Sequence, residues 1–578
     1  MTPKARKALA DQEKLLGSPF DRSQVLNFRD IVGQDEREEF PERSCAEFER
    51  LGFARWMLPQ ELGGHVQSLE EFVQTARLMG RRDLSVATAK GKCVLASLPT
   101  WIAGSDHLKK RISEVVLKGQ YLSLALTEQG NGSDLTQSQV QATKQGDSGF
   151  LITGEKWLIN NATQSTCISV LARTNPAGGI RGFSLFLLDK EKTDATTFRP
   201  LPKIRTLGVR GIDISGLTFC ETPVTSADLI GREGQGLEAA LKTLQVSRTM
   251  CAGFCLGPLE TMLRIVFEFS QKRKLYGDSI LKIPNVRSRL ARNSTDLLIC
   301  ELLVRAGTRL FHLRPELCSL SSAVTKYLVP KISEQAISEL CTTLGARYYL
   351  REGFSEGIAQ KFFRDIQLIG LFDGSSQVNL YVIANQLRVL AEQRKSPASV
   401  QDWSIDPALL ADVSNLPLLD YRRLQLTNRG EDPLLAGLLA AMDRFPGNGI
   451  PPQRWLQVSV LLRKGLADLD SDTLSGDPRE TANHRQAFDR AHRLCWLHAA
   501  ALGVLAQACE AGVREEEISL LLHRCFQELG VVSPFSETEV RACEDSVILD
   551  LQRRVEGDLS LGLSTDPVSG WYGHLSLA

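Results

Sequence analysis

One carboxylate stands out for its setting. In RDIQLIGLFDGSSQVN, Arg364 to Asn379, an apolar run ends on Asp373 and passes at once into Gly374, Ser375 and Ser376, with Gln377 following. A turn so small and polar cannot fill a packed core, and a carboxylate delivered by it is suited to taking a proton. LALTEQGNGSD, Leu124 to Asp134, ends a strand-like run in a glycine-rich turn holding Thr127, Gly132 and Ser133. Glycine lets a backbone approach a phosphate or a flavin edge and the hydroxyls add donors, yet an ordinary polar loop explains the same residues. ITGEKWLINNATQ, Ile152 to Gln164, puts Trp157, Leu158 and Asn160 on a strand. An apolar surface flanked by amides suits a flat heterocycle, and plain packing accounts for it equally. QKRKLYG, Gln271 to Gly277, ends a helix on Arg273 and Lys274, where cations are favoured with or without a ligand. GREGQG, Gly231 to Gly236, imitates a nucleotide loop but lacks a βαβ setting and reads as a joint.

Four segments must position these residues. Residues 1–121 carry apolar side chains at three- and four-residue intervals, as in SCAEFERLGFARWML, and predict an all-helical unit. Residues 122–231 change to short β-branched and aromatic runs separated by turn clusters such as NPAGG, which predicts a compact β unit. Helical periodicity resumes over 232–393 in long segments with few breakers, the pattern of an antiparallel bundle. After EQRKSPASVQDWSIDP a further helical region, 394–578, follows, with helix starts predicted at Asp477-Pro478-Arg479-Glu480 and at Ser536-Glu537-Thr538-Glu539, the latter flanked by Phe535 and Val540. HRLCWLHAAALGVLAQA in that region has a broad apolar surface that requires burial. The fold class is α+β, mainly α.

The 578 residues are too many for one hydrophobic core, which agrees with several units. Lys plus Arg (68) balances Asp plus Glu (68), so nothing advertises nucleic acid or an anionic membrane. The 13 cysteines are scattered without a C-x-x-C pair, and the eight histidines never fall at ligand spacing beside them, so reduced, mostly buried thiols, no metal and a cytoplasmic location are expected. The N-terminus has charges where a signal peptide needs its apolar core, and the longest apolar runs, such as LLAGLLAAM, are expected to be far too short to span a bilayer.

Taken in order, these segments resemble the acyl-CoA dehydrogenase family over about two-thirds of the chain. LALTEQGNGSD stands for the family's T-E-P-x-x-G-S-D turn, GEKWLINNA for its G-x-K-x-W-I-T-N strand, RKLYG for R-x-x-F-G, and FRDIQLIGLFDGSSQ for R-D-x-x-x-x-x-x-E-G-T-x-x-Q. The resemblance implies a helical domain, a β-barrel or sandwich and a four-helix bundle, here with an extra helical C-terminal domain. It implies FAD as cofactor and α,β-dehydrogenation of an acyl thioester on coenzyme A or a carrier protein, with a flavoprotein or oxygen as electron acceptor. It further implies a homodimer or homotetramer, since a neighbouring subunit supplies part of the FAD surface. Carried over by position, Thr127, Gly132, Ser133, Leu158 and Asn160 meet the flavin and its phosphates. Arg273 and Tyr276 serve the neighbour's FAD, Thr342 stands where a pyrophosphate contact is usual, and Ser375 and Gln377 lie towards the adenosine end. Asp373 takes the place of the α-proton base.

The departures carry their own expectations. Glu is usual at the base position, and Asp is one methylene, about 1.5 Å, shorter. The other position at which relatives place a base is Ser247 here, before Arg248, and it offers no rival carboxylate. The apolar neighbours Leu371 and Phe372 are expected to raise the Asp373 pKa by desolvation. Asn160 replaces a hydroxyl-bearing residue but keeps a donor. The divergent motifs lean towards a specialised biosynthetic role. A flavin oxidase of the nitroalkane-oxidase type also uses Asp, although the Arg expected seven residues later is Leu380. A non-redox binding member is the third reading; the C-terminal region carries an excess of about eight negative charges, the wrong sign for DNA.

Overall fold

A computed structural model describes residues 1–395, 409–410, 416–444, 452–477, 482, 484–509 and 511–575. Residues 478–480 of the predicted helix start at Asp477-Pro478-Arg479-Glu480, and residues 396–408, which hold most of EQRKSPASVQDWSIDP, lie outside the described residues.

Helices fill the chain up to Leu117, each opened by local chemistry. Thr2 accepts from the Ala5 N–H ahead of Pro3–Leu16, Asn27 from Asp30 ahead of Phe28–Glu36, and Ser105 from Leu108 ahead of Asp106–Leu117. Leu84–Ala103, started by Asp83, is buried on nearly every side although it carries Lys90 and Lys92. A wholly interior helix has no solvent face on which to leave a lysine, so each ammonium needs a partner.

Seven strands then form one mixed sheet: β1 (Tyr121–Ala125), β2 (Gln141–Gln145), β3 (Gly149–Asn160), β4 (Ser165–Arg173), β5 (Phe183–Asp189), β6 (Phe198–Pro200) and β7 (Ile214–Thr225), in the order β1-β4-β2-β3-β7-β6 with β5 beside β4. β1 and β4 run parallel, whereas β3 and β7 form a long antiparallel pair whose register slips between Trp157 and Ile159. That bulge matters for the site, because a bulged residue is re-aimed out of the pleat.

From Gly236 the chain is helical again. Cys318–Leu344 packs against Pro284–Leu313, Gly236–Gly253, Leu256–Lys272 and Ser376–Lys395. Contrary to the expectation that every apolar run is too short, the stretch Gly236–Lys272 is long and apolar enough to cross a membrane, with Arg248 and Glu260 within it, but its apolar window is wholly buried among the other helices. The predicted start at Ser536 is a reciprocal capping box: Ser536 Oγ accepts from the Glu539 N–H, and the Glu539 carboxylate accepts from the Ser536 N–H. HRLCWLHAAALGVLAQA forms the core of Arg485–Ala508, buried from Leu494 to Ala506 against Ser376–Lys395, Pro284–Leu313 and the helices Pro433–Arg444, Pro452–Ser475 and Glu515–Glu528. After Glu537–Glu556 the chain returns over the N-terminal helices. Trp571 is buried there, edge-on to Phe28, under the Arg82 guanidinium. The described cysteines are free and most are buried.

Candidate active site

The sheet and the bundle meet around one cavity of about 660 Å³, and the predicted segments converge on it. Main-chain pairing is what brings the first two together. The Trp157 N–H donates to the Thr127 carbonyl at 3.0 Å, so the glycine-rich turn is tied to β3. Lys156, wholly buried, donates to the Leu126 carbonyl at 2.9 Å and pairs with Glu128 at 2.8 Å. Burial lowers the Lys156 pKa to about 8 against the pull of Glu128, so the pair is a buried tie between turn and strand. Beyond it the β3 bulge turns Leu158 to a φ of 55° and leaves its side chain 42 % exposed on the cavity wall. Ser123 Oγ donates to the Asn160 carbonyl at 2.6 Å, while the buried Asn160 Nδ2 has no hydrogen-bond partner among the described residues.

The fourth segment enters from the bundle side. Asp373 has a φ of 53° and Gly374 one of 95°. Asp tolerates the left-handed region better than most residues, because its short side chain can bond locally. Buried Asn379 fixes the turn by donating from Nδ2 to the Gly374 and Ser375 carbonyls, both at 2.9 Å. The Asp373 side chain is 17 % exposed on the cavity wall, and both its oxygens are engaged. Lys92 Nζ donates to Oδ1 at 2.8 Å and lies 3.6 Å from the centroid of the Phe372 ring. Cys251 Sγ donates to Oδ2 at 3.1 Å.

The charges around this carboxylate overturn the expectation of a raised pKa. Burial alone would raise it, but the Lys92 charge and hydrogen bond, the Cys251 thiol and the more distant Lys326 ammonium together hold it below the usual 3.8. Leu371, expected to shield it, is 67 % exposed. The Cys251 thiol is pushed well up by burial and by the neighbouring carboxylate, which keeps it a donor. Arg248 is lowered to about 10 by burial, with Asp373 opposing, so it stays cationic at neutral pH. Lys326 is buried, donates to the Ile369 carbonyl, and is lowered by burial.

Glu334, on the same helix as Lys326, is pushed up to about 7, burial outweighing Lys326. A carboxyl whose folded pKa exceeds its unfolded value contributes most below the unfolded value, near 4.5, and loses that contribution as pH rises through about 7. Glu334→Gln is therefore expected to raise Tm at pH 8 by about 1–2 °C and to leave it unchanged at pH 5, a modest effect because the group is partly solvated. A Tm difference that is the same at both pH values would contradict the assignment.

Thr127, Gly132, Ser133, Leu158, Asn160, Asp373 and Ser375 thus share one cavity. Arg273, Tyr276, Thr342 and Gln377 lie off its wall. Arg273 ends the helix Leu256–Lys272, and Tyr276, 95 % exposed with a φ of 55°, tips the two-stranded hairpin that follows. Thr342 is exposed and donates to the Ser338 carbonyl, and Gln377 is exposed in the first turn of Ser376–Lys395. The residues missed from sequence are Lys92, Cys251 and Lys326. No local pattern singles them out, because their helices mix polar and apolar side chains and are nonetheless buried along most of their length. An orphaned buried amide at Asn160, hydroxyls at Thr127 and Ser133, and an apolar face at Leu158 fit a flat, hydrogen-bonding heterocycle such as a flavin.

Known proteins resemble this chain in sequence and fold. Residues 123–222 match the family described as acyl-CoA dehydrogenase, middle domain, and residues 234–388 match acyl-CoA dehydrogenase, C-terminal domain. A cyclohex-1-ene-1-carbonyl-CoA dehydrogenase of Geobacter metallireducens is 28 % identical over 387 residues, 66 % of this chain and 99 % of its own length. A protein of Mycobacterium leprae named as a probable acyl-CoA dehydrogenase is 26 % identical over 61 % of this chain and 89 % of its own. The solved acyl-CoA dehydrogenase from Bacillus anthracis, complexed with FAD, has the same fold with a TM-score of 0.74 at 17 % identity, covering 95 % of this chain and 96 % of that one, so its likeness extends through the C-terminal helices. With two domain matches on either side of one cavity and relatives matched over nearly their whole length, residues 123–388 of this chain are the middle and C-terminal domains of the acyl-CoA dehydrogenase family.

Proposed function

We propose that the protein catalyses FAD-dependent α,β-dehydrogenation of an acyl thioester, with Asp373 as the base that removes the α-proton. The observation that carries this reading is convergence: Asp373, on its left-handed turn, faces the same cavity as the glycine-rich turn, the bulged Leu158 and the Asn160 amide that has no partner among the described residues. Bound FAD would accept the β-hydrogen as hydride. The chain's own residues would bind and orient: Thr127, Ser133 and Asn160 by hydrogen bonds to the flavin or its phosphates, Leu158 by contact with its ring. Asp373, already ionised, would receive the α-proton on a carboxylate oxygen.

The thioester carrier is coenzyme A or a carrier protein, and we place the reaction in specialised biosynthesis in the cytoplasm. Arg273, Tyr276, Thr342 and Gln377, exposed on one chain, would complete the FAD surface of a second copy in a dimer or tetramer. Units are divided at about residues 121, 231 and 393. The visible spectrum of the purified protein tests this reading, followed by anaerobic bleaching with acyl thioesters on both carriers. A colourless protein that binds no added FAD, or a yellow one bleached by no thioester, would overturn it.

One observation favours a second reading. Lys92 and Arg248 supply, from other helices, positive charge near Asp373 of the kind that Leu380 cannot give a nitroalkane oxidase. Peroxide release on mixing with a nitroalkane would select it.

A further inference from the structure

We propose that Lys92 selects acyl thioesters whose acyl part bears its own carboxylate. In the free site the ammonium is paired with Asp373; a substrate carboxylate takes Asp373's place on Lys92, and Asp373 is released to take the α-proton. This rests on the dehydrogenase reading above, in which the hydride and its two electrons pass to the flavin.

The argument starts from an ion pair in the wrong place for a base. The Lys92 side chain is only 10 % exposed and its Nζ lies 2.8 Å from Asp373 Oδ1. The other oxygen is held by Cys251 at 3.1 Å. A carboxylate with both oxygens engaged has little tendency to accept a proton from carbon. A neutral acyl chain can free it only by stranding a buried ammonium, which has the Phe372 ring and, among the described residues, no second carboxylate paired with it. A second carboxylate on the substrate removes that penalty, because Lys92 exchanges one anion for another.

The charge balance of the cavity points the same way. Arg248 lines it, is 5 % exposed, and its Nε has no hydrogen-bond partner among the described residues. Lys326 lies behind, held by the Ile369 carbonyl, with Glu334 beyond it. Of the cavity's other charged side chains, Arg364 is on Asp35 at 2.7 Å, and Asp134 is solvent-exposed, where water screens its charge, and accepts from Thr136. Among the described residues, the buried part of the wall therefore sets two cations, Lys92 and Arg248, against one carboxylate, Asp373. Because Lys92 touches the reacting carboxylate itself, the substrate anion must lie within a few carbons of the α-carbon. The substrate class is a short dicarboxylic acid held as a monothioester.

The test uses the flavin-loaded protein with succinyl and glutaryl thioesters, their monomethyl esters, and the butyryl and valeryl thioesters, each on coenzyme A and on a carrier-protein arm. In the wild type kcat/KM for the free acids should exceed that for the esters by about 100-fold. Lys92→Met should reduce the ratio to near one, and Lys92→Arg should restore most of it. Flavin content reports whether each variant folds, and calorimetry with unreactive thioether analogues of the same acids should show the preference in binding as well. Equal kcat/KM for acids and neutral chains in the wild type overturns the inference and leaves the dehydrogenase reading standing. A ratio that survives Lys92→Met overturns it too. Bleaching by no thioester of either kind overturns the dehydrogenase reading itself.

Discussion

Asp373→Asn is expected to give a folded, yellow protein whose reduction by acyl thioester is slower by about a hundred- to ten-thousand-fold, the usual contribution of a positioned general base. The amide has nearly the shape of the carboxylate and can still accept from Lys92, so flavin content should be retained. What it lacks is a site for the α-proton. Stopped-flow bleaching of the 450 nm band measures the loss, and an unchanged rate would remove Asp373 from the mechanism. The pH dependence gives a second check. Because Lys92, Cys251 and Lys326 hold the folded pKa below 3.8 against the effect of burial, Asp373 is ionised in the free protein throughout the neutral range. The acid limb of kcat/KM, which reports the free enzyme, should therefore fall below about pH 4 and not near neutrality. The same linkage acts on stability: the ion pair contributes above the unfolded value of 3.8, and that contribution is lost as pH falls through the folded one.

Glu260→Gln is expected to destabilise the protein by about 3–5 kcal/mol, since it leaves buried cations without their anion. Glu260 accepts from Arg77 and Arg81, both at 2.8 Å, and from Ser560 Oγ and the Leu561 N–H, both at 2.9 Å. It thereby joins the first helical unit, the bundle and the returning C-terminal segment at one atom pair. Arg77 pairs in turn with Glu301 at 3.0 Å, and Glu13 holds Arg82 at 2.8 Å. Burial alone would raise the Glu260 pKa, but Arg77, Arg81 and Arg264 hold it far below the usual carboxylate range. Its contribution is thus present above about pH 4.5 and disappears only as pH falls through that depressed value. Denaturant melts of wild type and variant at pH 7 measure the effect. Arg541 and Glu537, 3.5 Å apart but 77 % and 91 % exposed, provide the contrast: breaking that pair should cost less than about 1 kcal/mol. Equal losses from the two substitutions would mean that the buried network does not hold the units together.

Much of the architecture was legible because it depends on local spacing. The change of period near Tyr121 and again near Gly236 follows from side chains that must face one core, and the Ser536 capping box is written in four residues. The residues of the cavity were legible segment by segment: Asp373 by its small-residue turn, Thr127 and Ser133 by their glycines, Leu158 and Asn160 by their strand. Their joint meaning came from order and spacing, since each alone was equally a loop, a core residue or a helix end.

The direction of the Asp373 pKa was the clear miss. The reading weighed the adjacent Leu371 and Phe372, but neighbours in sequence are not neighbours in charge. Lys92 lies 281 residues away, and Arg248, Cys251 and Lys326 come from two further helices. By itself the sequence determined the order of helical, β and helical units, the identity of the turn that carries the carboxylate, and the segments that line the cavity, because hydrophobic period and turn chemistry act over a few residues. Only the tertiary structure decided which cations surround Asp373 and that they hold its pKa below the usual value, against the effect of burial, because Coulomb interactions in a buried site depend on distances across packed helices, which no local pattern encodes.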